Sequence, residues 1–121
     1  MLHIEIPGRA PMDIANVVFD YNGTIAVDGA VLPELRERLE ALLKLVPVYV
    51  LTADTYGTVR TQCESLGLTV HTFPREGAAQ CKEEIVKALP GASACFGNGF
   101  NDIQMFDAAA LSVAILEGEG L

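Results

Sequence analysis

Ala15-Asn16-Val17-Val18-Phe19-Asp20 contains a nearly continuous apolar run closed by a carboxylate. Such a run reads as a strand buried on both faces, the kind found at the centre of a parallel sheet. Its last residue then lies at the carboxyl end of the strand, where open parallel sheets collect their ligands. Outward from this stretch the pattern repeats: 46–52 (Val-Pro-Val-Tyr-Val-Leu-Thr), 68–73, 92–96 and 111–116 are further short strands, with helical patterns between them. Strands alternating with helices predict βαβ units, hence a doubly wound, mainly parallel α/β sheet with helices on both faces.

The remaining elements follow from local pattern. Leu2, Ile4 and Ile6 alternate with His3 and Glu5 and stop at Pro7-Gly8, as in an edge strand or hairpin. Ile25-Ala26-Val27 and Ala30-Val31 flank Asp28-Gly29, the signal of a tight hairpin. Pro33 opens the first helix, whose stripe of Leu35, Leu39, Leu42 and Leu43 faces inward while Glu34/Arg38 and Glu40/Lys44 are spaced to pair on the wet side. Asp54 or Thr55 is placed to cap a second helix reaching about residue 66, with Val59, Cys63 and Leu66 inward. A third helix is expected over 76–89 and a short one over 102–109.

The totals set limits. At 121 residues and 50% hydrophobic composition, the chain suits one domain, 1–121, with a real core. Mean hydropathy is +0.32, yet no apolar run reaches the ~18–20 residues needed to cross a bilayer. The start, Met1-Leu2-His3-Ile4-Glu5-Ile6, lacks the charge and long apolar stretch of an export signal, so a cytoplasmic protein is expected. Cys63, Cys81 and Cys95 are odd in number and widely spaced, which reads as reduced thiols in the core rather than a disulfide frame or zinc knuckle. A net charge of −8 argues against nucleic acid and anionic membrane as partners. It also opposes a phosphate ester, so any phosphate site must be built locally from backbone N–H groups, a lysine and a metal ion.

Polar residues gather directly after the apolar runs, as Asp20-Tyr21-Asn22-Gly23-Thr24, Thr52-Ala53-Asp54 and Gly97-Asn98-Gly99-Phe100-Asn101-Asp102. The first resembles the D-x-D-G-T signature of the haloacid dehalogenase (HAD) superfamily of phosphotransferases, and the last resembles its G-D-G-x-N-D signature. Order and spacing agree over 15–116, and within the superfamily the chain is most similar to the soluble P-type ATPase-like group. The resemblance implies Mg²⁺ as cofactor and Asp20 as the nucleophile that accepts a phosphoryl group. A carboxylate is a modest nucleophile, and a cation is needed to quench the repulsion between two anions as they meet. The resemblance further implies that Thr52 and Lys82 hold phosphoryl oxygens, that Gly23, Thr24 and Ala53 help to cradle the phosphate, and that Asp20, the Asn22 carbonyl, Asn98 and Asp102 arrange the metal.

The lysine is also marked by geometry. Ala78, Lys82, Ile85, Val86 and Leu89 share one helical stripe, which turns Lys82 to the sheet and leaves Lys87 toward solvent. An ammonium on that face needs an anion or must snorkel to the sheet edge. His3 and His71, without ligand-spaced partners, read as structural, and Tyr21 either borders the substrate or fills the core.

Two residues depart from the family pattern. Asn22 stands where many family phosphatases carry the aspartate that protonates the leaving group and activates water, and an amide does neither. Slow turnover is the expectation. Asn98 replaces an aspartate that contacts the metal, so the site loses a charge and metal affinity should fall. Only the hairpin around Asp28-Gly29 follows the nucleophile before the first helix, which predicts a minimal cap and an open site for a phosphorylated small molecule or a phosphoprotein. The alternative reading is a non-catalytic module that binds Mg²⁺ and phosphate or a protein partner. A receiver domain shares the strand-end aspartate but has no counterpart to 97–102. The family leads one to expect another helix or strand after 111–116, and a missing final element would bare a sheet edge and favour a homo-oligomer.

Overall fold

β1 (Leu2–Ile4) and β2 (Met12–Ile14) form an antiparallel hairpin outside the main sheet. The chain then runs through β3 (Asn16–Asp20), the paired short strands β4 (Ala26–Val27) and β5 (Ala30–Val31), α1 (Pro33–Leu43), β6 (Val48–Thr52), α2 (Gly57–Ser65), β7 (Thr69–Thr72), α3 (Ala78–Ala88), β8 (Ser93–Gly97), α4 (Ile103–Asp107) and β9 (Leu111–Ala114). This is a computed structural model, and it describes residues 1–21, 24–27, 30–53, 57–98 and 102–115. The Asp28-Gly29 turn and the Asp54 and Thr55 caps expected from sequence lie outside the described residues.

The five strands of the main sheet are all parallel, in the order β7-β6-β3-β8-β9. The run that ends in Asp20 is thus the central strand, and residues 16–19 of it are buried, as its unbroken apolar character requires. Side chains alternate across the sheet. Val17 and Phe19 of β3, Val48 and Val50 of β6 and Ala94 of β8 join Leu39 of α1 and Val59 and Cys63 of α2 in one core. Val18, Leu51 and Cys95 join Ala78 and Val86 of α3 and Met105 of α4 in a second. Helices therefore cover both faces, α1 and α2 on one and α3 and α4 on the other. Each fully buried Val, Leu or Phe contributes about 1.5–3 kcal/mol, so the two cores dominate the energetics.

The helix ends follow from the sequence. Pro33 occupies the first turn of α1, where its missing N–H leaves no bond unmade. Gly77 precedes α3 at φ +76°, a conformation that favours glycine. The α1 stripe packs as expected, with Leu39 buried and Leu35, Leu42 and Leu43 against the core. The two α1 ion pairs expected from spacing do not close; on the helices, Arg60–Glu64 at 3.9 Å and Lys87–Glu83 at 3.6 Å do. Exposed pairs gain only a few tenths of a kcal/mol, and side-chain entropy is enough to keep them apart.

Among the described residues, β4 and β5 are the only regular structure between Asp20 and Pro33, so nothing larger stands over the sheet there. Behind the sheet, a cavity of about 240 Å³ lies between α1 and the strand ends, walled by Phe19, Thr24, Leu42, Phe96 and Ile115 among others. No helix among the described residues is long and apolar enough to cross a membrane.

Candidate active site

The pleat decides which groups can meet Asp20. By alternation Asp20 shares the side of β3 occupied by Val18, the side covered by α3 and α4. On α3, Ala78, Lys82 and Val86 stack at intervals of four and are all buried against that side. Lys82 Nζ donates to Asp20 Oδ1 at 3.2 Å and to Asp102 Oδ1 at 2.7 Å. Two carboxylates thus converge on one ammonium, and the two bonds laid end to end bound the separation of their oxygens.

Burial divides the labour. The Lys82 and Asp102 side chains are 4% and 0% exposed, whereas Asp20 is 15% exposed, so an incoming group can reach Asp20 without disturbing the other two. A buried ammonium is tolerable because the carboxylates offset its lost hydration. Asp102 is held from the other side as well, its Oδ2 accepting the Asn98 backbone N–H at 3.2 Å. Burial pushes the Asp20 carboxyl up to about 6, the Asp102 charge pushes the same way, and Lys82 with the Tyr21 backbone N–H pulls back only in part. Two carboxylates and one ammonium leave one negative charge in a poorly hydrated place.

That donor chemistry fits a hard divalent cation. Asp20 and Asp102 offer oxygen ligands at one point, and a cation there would offset the burial and the neighbouring Asp102 charge that hold the Asp20 carboxyl above the usual carboxylate range. No group of three or more His, Cys, Asp or Glu side chains converges among the described residues, so amide or carbonyl oxygens would have to complete the set.

The other residues singled out from sequence are placed as follows. Thr52 is buried at the carboxyl end of β6, one position beyond Leu51, the register partner of Asp20, and Ala53 packs beside the α3–α4 core. Thr24 donates its backbone N–H to the Tyr21 carbonyl at 3.3 Å and borders the cavity behind the sheet. Its Oγ1 is buried with no hydrogen-bond partner among the described residues. Asn22 and Gly23 lie outside the described residues, as do Asp54, Gly99, Phe100 and Asn101. Tyr21, which sequence left between substrate contact and core filling, is fully buried in the α1–α2 core.

His3 sits on the β1–β2 hairpin, its Nδ1 2.8 Å from Asp13 Oδ1, and His71 lies against the Tyr49 ring. The three cysteines are free. Burial, then the neighbouring Glu64 charge, pushes the Cys63 thiol up to about 11; burial, then Asp102, pushes Cys95 up to about 12, so neither is poised as a nucleophile.

Sequence reasoning assigned no separate task to Gly97 or to the Asn98 backbone N–H, yet both touch the Asp102 carboxylate. The available signal was a glycine at a strand end directly before polar residues.

The five-stranded parallel sheet with helices on both faces has the fold of HAD family hydrolases. A Streptomyces avermitilis protein described as a HAD family hydrolase superposes with a TM-score of 0.71 at 20% identity, over 86% of this chain and 68% of that one. The cobalt-bound deoxy-D-mannose-octulosonate 8-phosphate phosphatase of Haemophilus influenzae superposes with a TM-score of 0.66 at 17% identity, over 84% and 68%. No protein-family model matches the chain. In sequence, an uncharacterized protein of Methanocaldococcus jannaschii is 44% identical over 39 residues, which is 32% of this chain and 89% of that protein. This chain and that short archaeal protein belong to one family.

Proposed function

We propose that the chain is a Mg²⁺-dependent phosphohydrolase or phosphotransferase of the soluble P-type ATPase-like kind, a single cytoplasmic domain that passes a phosphoryl group through Asp20. The observation that carries this reading is the Asp20 carboxylate, accessible at the tip of the central strand and bonded to a buried lysine that Asp102 pins from below. A carboxylate oxygen of Asp20 attacks phosphorus, the ester bond breaks, and the leaving oxygen takes a proton from solvent. Lys82 orients the attacking carboxylate and places positive charge beside the phosphoryl oxygens. Asp102 keeps Lys82 aimed. Thr52, with the N–H groups around Gly23 and Ala53, holds the remaining oxygens, while the Thr24 N–H closes the turn on the Tyr21 carbonyl. Mg²⁺, when bound through Asp20, Asp102, Asn98 and the Asn22 carbonyl, supplies the charge that lets two anions approach.

Asn22 can neither donate nor accept the proton that hydrolysis of the aspartyl-phosphate requires. Water must then act unaided, so the phosphorylated chain accumulates and turnover is slow. The substrate class is a phosphorylated small molecule or a phosphoprotein; the small phosphate ester named for the Haemophilus influenzae neighbour and the modest β4–β5 insertion support a site open to either.

The test is incubation with acetyl phosphate or p-nitrophenyl phosphate and Mg²⁺, with Asp20→Asn as control. An acid-stable, hydroxylamine-labile phosphoryl group on the wild type and none on the variant is the expected result. Asn22 and Asn98, two amides where the family pattern carries acids, favour a second reading, a module that binds Mg²⁺ and phosphate without chemistry. Binding without labelling or turnover at saturating Mg²⁺ would select it.

A further inference from the structure

We infer that Gly97 is a positioning residue: by carrying no side chain it opens the slot in which the Asp102 carboxylate lies, and so sets Asp102 against Lys82. Gly97 ends β8 and by alternation faces the same side as Cys95, the side of α3 and α4. A Cβ built on it would overlap Asp102 Oδ2 and lie 2.7 Å from the carboxyl carbon and 3.1 Å from the Asp102 Cβ. Asp102 has no room to retreat. It is fully buried, with Oδ1 on Lys82 and Oδ2 on the Asn98 N–H.

Conformation does not explain this glycine. The described glycines with positive φ are Gly8, Gly67, Gly77 and Gly91, and Gly97 is not among them. Its backbone suits any residue, so what the position demands is space. The same Cα therefore governs two groups at once: push the carboxylate off β8 and Lys82 loses the shorter of its bonds to Asp102 and Asp20. The placement of Asp102 rests on geometry alone; the consequence for Mg²⁺ rests on the function proposed above.

Two measurements test the inference. First, Gly97→Ala is made in the wild type and in an Asp102→Ala background, which removes the carboxyl group that the added Cβ would meet, and urea midpoints are compared as a double-mutant cycle. The midpoint should drop in the wild type and drop less in the Asp102→Ala chain; equal drops in both would overturn the inference. If Gly97→Ala folds only when Asp102→Ala accompanies it, that is the same result in stronger form.

Second, Mg²⁺ alone is titrated calorimetrically into the wild type, Gly97→Ala and Gly91→Ala. Gly91 is a useful control because its Cβ would lie 2.7 Å from Ala15 Cβ, at the opposite end of the sheet, so its loss disturbs packing without touching the carboxylates. The Kd should rise at least tenfold in Gly97→Ala and stay unchanged in Gly91→Ala. An unchanged Kd in Gly97→Ala beside a wild type that binds would overturn the claim. A wild type that binds no Mg²⁺ would count against the proposed function instead, and the stability cycle would then decide the role of Gly97 by itself.

Discussion

In the folded chain the Asp20 carboxyl keeps its proton up to about pH 6, whereas an ordinary aspartate releases it near 3.8. Between those values the folded state binds more protons than the unfolded one, so stability falls as pH rises through that window and stays lowered above it. One pH unit corresponds to about 1.4 kcal/mol, which puts the deficit on the order of 1–3 kcal/mol. Asp20→Asn should therefore raise the urea midpoint of the metal-free protein at pH 8 and give no gain at pH 4, while abolishing phosphoryl labelling. A midpoint that falls at pH 8 would show that the Lys82 pairing outweighs the burial of charge. The inward aim of Lys82 was legible in sequence because its neighbours at intervals of four are apolar. That its ammonium bonds Asp20 and Asp102 together was not, since spacing along the chain does not say which turn of α3 crosses which strand tip.

At the level of elements, the start of β3 is fastened to the α3–β8 connection by buried polar groups. Asn16 Nδ2 donates to the Pro90 carbonyl at 2.9 Å, and Ser93 Oγ donates to Asn16 Oδ1. Asn16→Ala strands both partners and should cost about 1–3 kcal/mol in urea denaturation. Asn16 and Asp20 begin and end one strand, about 13 Å apart at ~3.3 Å per residue, so labelling of Asp20 with acetyl phosphate should survive below the new unfolding midpoint. Loss of labelling in the still-folded variant would mean that the two ends of β3 are coupled. The strands and the α1 stripe were legible because apolar periodicity records burial directly. The partner of residues 2–6 was not, because alternation marks a half-exposed strand without naming what it pairs with, and the α1 ion pairs were misread because spacing permits such pairs without enforcing them.

For the whole molecule, the fold class followed from alternating strand and helix signals, and the centrality of β3 from its unbroken apolar run. The strand order and the cavity between α1 and the sheet could not be read, since both depend on how separate elements pack. That cavity, about 240 Å³ with Leu42 and Phe96 among its walls, leaves apolar surface unburied. Leu42→Phe fills part of it and should stabilise the chain by about 0.5–1 kcal/mol, seen as a higher thermal midpoint. A lower midpoint would show that the space is too narrow for a ring, as overpacking predicts.

The separation of the two cores by the pleat of β3 has a consequence for how this site tolerates change. Insertion of a single residue between Val17 and Phe19 would keep the letters around Asp20 intact and turn every later side chain of the strand over. The carboxylate would then look toward α1 and α2 while Lys82 and Asp102 stayed behind on the far face. Chains of this kind can lengthen in the connections between elements but not within the central strand, because there the parity of a count, rather than any one side chain, keeps the three charges together.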